Sequence, residues 1–385
     1  MAAADTGPVA DGEPEKQDAS GQRLRHCIFC GKRPVRKTKE HVLPQWLIRV
    51  TGDPARPFHV DPLVRDNLGT TMFGFNRFVF PACSLCNEQF SSLESTAKPV
   101  MGKLLEAQPI TPDEVNVLLD WFDKIRIGLW LGWLQLTGNP FGIRPSFDIT
   151  RRIRRSDRCL LIYSARNSPT GLTFFGVNSL VFQWMPSCFT LKVNQLLFFN
   201  ASNLMLLAPR LGLPFVKSAH CDPQGVFHVV AAAGYRKRKY PLIRMRLEEP
   251  ALDFYQPILG GPERMIPDGP SWIPPRIYDT DFVRDSVSDI QTGLGHIFTQ
   301  QRLAVVRFNE GTVSIDLSRQ GPVDYAGQRY RNVVEQTLRF QEELISSAVP
   351  GSLQYEALPK EGKRVYDTLI KEIKRRRPSR ALQSR

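Results

Sequence analysis

Two Cys-x-x-Cys pairs, Cys27 with Cys30 in "CIFCGK" and Cys83 with Cys86 in "CSLCNEQF", constrain this chain more than any other feature. Two thiolates three positions apart can bind one ion, and Gly31 allows the tight turn that aims backbone amides at sulfur. Together the pairs supply the four ligands of a closed tetrahedral site for structural Zn²⁺. About 50 residues separate them, more than in common zinc ribbons, so the metal would hold together the two ends of a module. That module, residues 23–105, is short for its turn content and would need metal to be stable. Cys159, Cys188 and Cys221 lie singly in apolar or strand-like surroundings and read as small buried hydrophobes. Seven cysteines spread this unevenly over 385 residues do not form a disulfide framework.

Between the pairs runs "TKEHVLPQW", which sets the carboxylate of Glu40 beside the imidazole of His41. With the flanking "CIFCGK" and "FPACSLCNEQFSSLE", it resembles the HNH endonucleases of the ββα-metal fold whose motif is enclosed by zinc-binding cysteine pairs. The likeness covers residues 27–105. In such enzymes the first motif position is an acid-histidine pair on a strand, followed by a hydrophobic residue and proline. Glu40-His41-Val42-Leu43-Pro44 fits, with glutamate in place of the commoner aspartate. The middle position is an asparagine on the loop before the second pair, assigned to Asn76 in "FGFNRF" with Asn67 as the fallback. The last position opens the helix after the second pair and is Asn87, which makes this a histidine-asparagine-asparagine variant.

The resemblance implies a metal-dependent nuclease. A neutral imidazole takes a proton from water at physiological pH, which would be the role of His41. A hard divalent cation, Mg²⁺ or Mn²⁺, prefers oxygen ligands and would be held by Glu40 and Asn87. Asn76 would hydrogen-bond backbone near His41 and fix the ring. Adjacent strand residues face opposite ways, so this arrangement needs a bent strand or an ion along its edge. The competing expectation is a non-catalytic zinc-stabilised module that binds nucleic acid or protein. In it Glu40 pairs locally, His41 is a packed surface histidine and Asn87 is a helix N-cap. Trp46 and Leu47 are expected in the small core, and Glu94 on the helix surface.

The expected fold class is α+β: the zinc-clamped ββα module, then a larger C-terminal α+β domain over residues 106–385 with a mainly antiparallel sheet and long helices. "TPDEVNVLLDWFDKIRIGLWLGWLQLTGNP" predicts a long helix, with a capping box at Thr111 and Glu114 and a stop at Gly138-Asn139-Pro140. Asn116, Asp120, Asp123 and Lys124 mark a wet face in its first half, and Trp130 and Trp133 an enclosed second half. Residues 158–250 alternate β-branched and aromatic runs with turns. A proline- and glycine-rich linker follows at 260–275, then a strand pair around "LAVVRFNEGTVSIDLS" and charged helices near 327–348 and 359–376. In "SAHCDPQGVFHVV" a tight turn at Asp222–Gly225 would set His220 opposite Phe227 and His228 on the other face, so the two histidines could not share an ion.

Residues 1–22 are small, polar and charged, without the apolar core of a signal peptide, and read as a disordered tail on a cytoplasmic protein. The longest apolar run, Ile127 to Leu136, is about half of the roughly 20 residues needed to cross a membrane. A net charge of +13 suggests an anionic partner: nucleic acid, and DNA by the resemblance. Candidate phosphate-binding clusters are Arg151, Arg152, Arg154, Arg155 and Arg158; Arg236 to Lys239; and Lys374 to Arg377 in the basic tail 374–385. The C-terminal domain could instead meet a protein partner.

Overall fold

The computed structural model describes residues 26–60, 71–75, 79–136, 153–154, 156–165, 168–179, 186–203, 215–221, 227–232, 248–258, 295–301, 304–320 and 327–347, with a few isolated residues besides. It is a mixed helix and sheet structure with a mainly antiparallel sheet. At the N-terminal end, β1 (Lys37–His41) pairs antiparallel with β4 (Val79–Cys83), and α2 (Ser84–Leu105) leaves β4 without a break. Between them lie α1 (Gln45–Val50) and a separate ribbon of β2 (Pro57–Val60) with β3 (Thr71–Gly74).

The helix α3 (Pro112–Leu136) begins with the predicted capping box. The Thr111 amide donates to Glu114 Oε2 at 2.9 Å, and the Glu114 amide donates to Thr111 Oγ1 at 3.3 Å. The helix lies against α2 on one side and against the large sheet on the other. That sheet has seven strands: β5 (Asp157–Ser164), β6 (Leu172–Phe175), β7 (Cys188–Val193), β8 (Leu196–Asn203), β11 (Leu252–Gln256), β12 (Phe298–Gln301) and β13 (Ala304–Arg307). Their order is β13-β12-β11-β5-β8-β7-β6, and neighbours run antiparallel. Alternation along β5 divides the core: Leu160 and Ile162 face α3, while Cys159, Leu161 and Tyr163 join Val333, Phe340 and Leu344 of α4 (Gln328–Ser347) on the opposite face. One apolar cluster runs unbroken from Cys27 and Phe29 through α2 and α3 to the sheet, so the N-terminal residues and the sheet share a core.

Several expectations change. The face of α3 expected to be wet is buried, with Asp120, Asp123 and Lys124 all 5% exposed or less. Its charges are compensated internally: Arg154 and Arg158 pair with Asp120, and Arg126 with Asp123. Burial normally penalises such groups, so a polar stripe on a helix reads as wet until tertiary partners are known. Arg158 therefore leaves the phosphate-binding list: it is fully buried and donates to Asp120 and Gln256. Arg151, Arg152, Arg155, Arg236–Lys239 and the 374–377 cluster lie outside the described residues, as does the expected linker.

The strand pair near residue 304 is also displaced. β12 and β13 pair with each other from Phe298 opposite Arg307 to Gln301 opposite Ala304, and Val313 makes a single bridge to Ile110. In the ribbon of β9 (Phe215–Cys221) with β10 (Phe227–Ala232), Phe227 faces Cys221 and His228 faces His220. The loop is one residue longer than the turn expected from sequence, and a shift of one residue exchanges faces. The argument that separated His220 from His228 thus fails at the level of backbone register. Among the described residues, no helix is long and apolar enough to cross a membrane.

Candidate metal centre and the Glu40-His41 strand

The first knuckle is built locally. Gly31 has a φ of 68°, its amide donates to the Cys27 carbonyl at 2.9 Å, and the Ile28 amide donates to the Pro81 carbonyl at 3.0 Å. These bonds lay Cys27 and Cys30 beside the end of β4, where Cys83 is the N-cap of α2 and Cys86 lies in its first turn. The four sulfurs fall within 4.8 Å of one another and could hold a metal ion. Thiolates bound at about 2.3 Å to tetrahedral zinc lie about 3.8 Å apart. The Cys30 and Cys83 sulfurs are 3.8 Å apart. The Cys83 amide also donates to Cys27 Sγ at 3.2 Å, the kind of contact that favours thiolate.

Burial pushes the Cys27 thiol up, but hydrogen bonds from the amides of Cys83, Cys30 and Phe29 outweigh it and bring it below the ordinary thiol value. Burial and the neighbouring sulfurs push Cys83 up to about 11 and Cys86 higher still. Sulfurs this close resist joint ionisation until a cation joins them, so a metal would bind here with release of protons.

From this cluster β1 runs to the acid-histidine pair. Lys37 lies opposite Cys83, and His41 ends the strand opposite Val79. Exposure alternates along β1: Lys37 and Lys39 are exposed and His41 partly exposed, whereas Glu40 is buried together with its neighbours Phe80 and Ala82. Lys37, Lys39 and His41 thus share the outer face, and Glu40 the inner one. Lys32, Arg33 and Arg36 are exposed just before the strand. This basic run was legible in "GKRPVRKTKEH" yet missing from the clusters singled out by charge.

On the inner face Glu40 is already engaged. Its Oε1 accepts from Lys124 Nζ at 2.5 Å, and the same ammonium pairs with Glu94. Glu94, expected on the helix surface, is instead only 18% exposed. Burial pushes both carboxyls above the usual range while Lys124 pulls them down; burial pulls Lys124 down, and the two carboxylates outweigh it and raise it. Lys124 was not identifiable as the partner of Glu40 and Glu94, because it stands 84 and 30 residues from them on another element.

Asn87 is the fourth residue of α2, whose N-cap is Cys83, so an N-cap role for Asn87 is removed. It shares a helix face with Phe90 and Glu94, and Glu40 is joined to that face through Lys124, whose ammonium pairs with Glu94 about two turns beyond Asn87. Asn76 and Asn67 lie outside the described residues. Leu47 is fully buried, and Trp46 stacks on Trp121 with ring centroids 5.6 Å apart, as the small core required.

No family matches. The chain fits no family model, and comparison with curated proteins and with solved structures likewise gave no match. The reading of this site therefore rests on its own geometry and on the motif.

Proposed function

We propose that this chain is an HNH-type endonuclease that hydrolyses phosphodiester bonds in nucleic acid, DNA by the resemblance of its motif, on a module clamped by structural zinc. The observation that carries the reading is the outer face of β1, where His41 stands in line with the exposed Lys37 and Lys39 at the end of a strand anchored beside the four cysteines. Alternate residues of a strand are about 7 Å apart, so the two ammonium groups could hold successive parts of a polyanion while a phosphodiester reaches the imidazole. His41 would take a proton from water. The resulting hydroxide attacks phosphorus, the bond to the leaving oxygen breaks, and that oxygen is protonated from solvent. Asn87 and Asn76 are proposed to position the substrate or the ring, and the family's divalent cation, Mg²⁺ or Mn²⁺, would stabilise charge on the phosphate.

The second reading is a zinc-stabilised module that binds nucleic acid without cutting it. It is favoured by the burial of Glu40 and the engagement of its Oε1 with Lys124, on the face of β1 away from His41.

One experiment separates them: supercoiled plasmid with Mg²⁺ or Mn²⁺ and the full chain, beside His41→Ala and Lys37→Glu/Lys39→Glu proteins of measured zinc content. The nuclease reading expects nicking or linearisation by wild type, loss of at least a hundredfold in His41→Ala with binding intact, and weaker binding with a shallower salt dependence in the charge-reversed protein. Binding without scission by wild type and His41→Ala alike would instead establish the second reading.

A further inference from the structure

We infer that the resident cation of the Glu40 site is the ammonium of Lys124, supplied by α3, and that Glu40 does not ligate a divalent ion. This deepens the nuclease reading and departs from what the motif implies, since in the resemblance Glu40 is a metal ligand.

Three elements build the site. Glu40 projects from the inner face of β1, Glu94 from α2 and Lys124 from α3, with Lys124 Nζ between the two carboxylates. The Phe29 ring lies beside the ammonium, its centroid 5.9 Å from Nζ, and is stacked on Phe90 at 4.0 Å. Phe29 belongs to the first cysteine knuckle, so the segment that offers sulfur to the metal also covers the lysine.

The setting suits an ammonium and opposes a hydrated ion. A lysine has three donors and needs no water once they meet carboxylates. Magnesium demands near-octahedral oxygen ligation, dehydrates reluctantly and usually keeps several waters. Here Glu40 is 6% exposed and Lys124 2%, with the Phe29 ring over the ammonium. A divalent ion at Glu40 would have to expel a buried ammonium and then crowd the charge it displaced. With Glu40 held inward, His41 is left on the opposite face of the strand. Lys124 touches no substrate and acts through Glu40 as a positioning residue, fixing β1 so that its outer face presents the imidazole.

The test counts ions and not cuts, so it stands apart from the nuclease reading. Zinc-loaded full-length protein is titrated with Mn²⁺, with bound ion read by electron paramagnetic resonance, for wild type, Glu40→Gln and Lys124→Met. Glu40→Gln keeps the Lys124–Glu94 pair and is the variant that decides. Expected is the same Mn²⁺ stoichiometry and affinity, within twofold, as wild type, including the case in which neither binds. A tenfold or greater loss of Mn²⁺ affinity in Glu40→Gln overturns the inference. Lys124→Met, where it folds with zinc in place, is expected to bind Mn²⁺ no more tightly than wild type, because the burial that opposes a hydrated ion remains. Absence of plasmid scission would sink the nuclease reading while leaving this count untouched.

Discussion

Asp157 shows how a single residue can combine structure with a pH response. It is fully buried at the start of β5, where its carboxylate oxygens accept from the amides of Leu207 at 2.6 Å and Ile258 at 2.7 Å. Burial pushes it up to about 7 against those amides. A carboxyl that titrates higher in the folded than in the unfolded chain contributes stability fully present below about pH 4 and lost as pH rises through about 7. Other groups add their own slopes, so the informative quantity is a difference. Between pH 5 and 8, urea midpoints of wild type should fall relative to those of Asp157→Asn. The variant should be less stable at pH 5, because an amide NH₂ must then face a backbone donor. Equal slopes for the two proteins would mean that Asp157 is ionised throughout. The residue types of the site were legible in the sequence, since the four cysteines and the Glu40-His41 pair stand out by spacing. Which charges oppose them was not, because Lys124 reads as one more solvated lysine until α3 is folded against β1.

At the level of elements, a metal bound by the four cysteines would contribute to the cysteine end separately from the backbone. The first knuckle is tied to β4 by the Ile28 to Pro81 and Cys83 to Cys27 bonds and by packing of Ile28 and Phe29, while α3 and the sheet carry their own buried apolar surface. Removal of zinc by a strong chelator should therefore raise hydrogen exchange first in residues 26–33 and in the first turn of α2, by at least tenfold, with little change in α3 and β5. Uniform loss of protection across the chain would show instead that the centre controls the whole fold. The helix signals were the most readable elements, since the Thr111–Glu114 capping box is a local pattern. Strand registers were harder: the β9–β10 pairing was misjudged by one residue because loop length, not composition, sets which side chains stand opposite.

For the whole molecule the shared core decides how far the N-terminal part can be separated. A fragment of residues 23–105 would lose Lys124 from Glu40 and Glu94. It would also expose Val100, Met101 and Leu104 of α2, all 2% exposed or less in the full chain. Two abandoned carboxylates and a bared apolar stripe should leave this fragment without cooperative unfolding even with zinc bound, whereas residues 23–385 unfold cooperatively. A sharp, zinc-dependent melting transition for the fragment would mark it as an independent domain. The sequence by itself determined the thiolate cluster, the acid-histidine pair, the basic character of the strand leading to it, and a mainly antiparallel sheet preceded by a long helix. These follow from spacing and periodicity, which are local. Only the tertiary structure decided that the charged face of α3 is interior and that Glu40 belongs to a lysine 84 residues away. It alone also joined module and sheet in one core. The physical reason is that a buried charge is tolerated only where an opposite charge meets it, and that meeting depends on how distant elements pack and not on their neighbours in sequence.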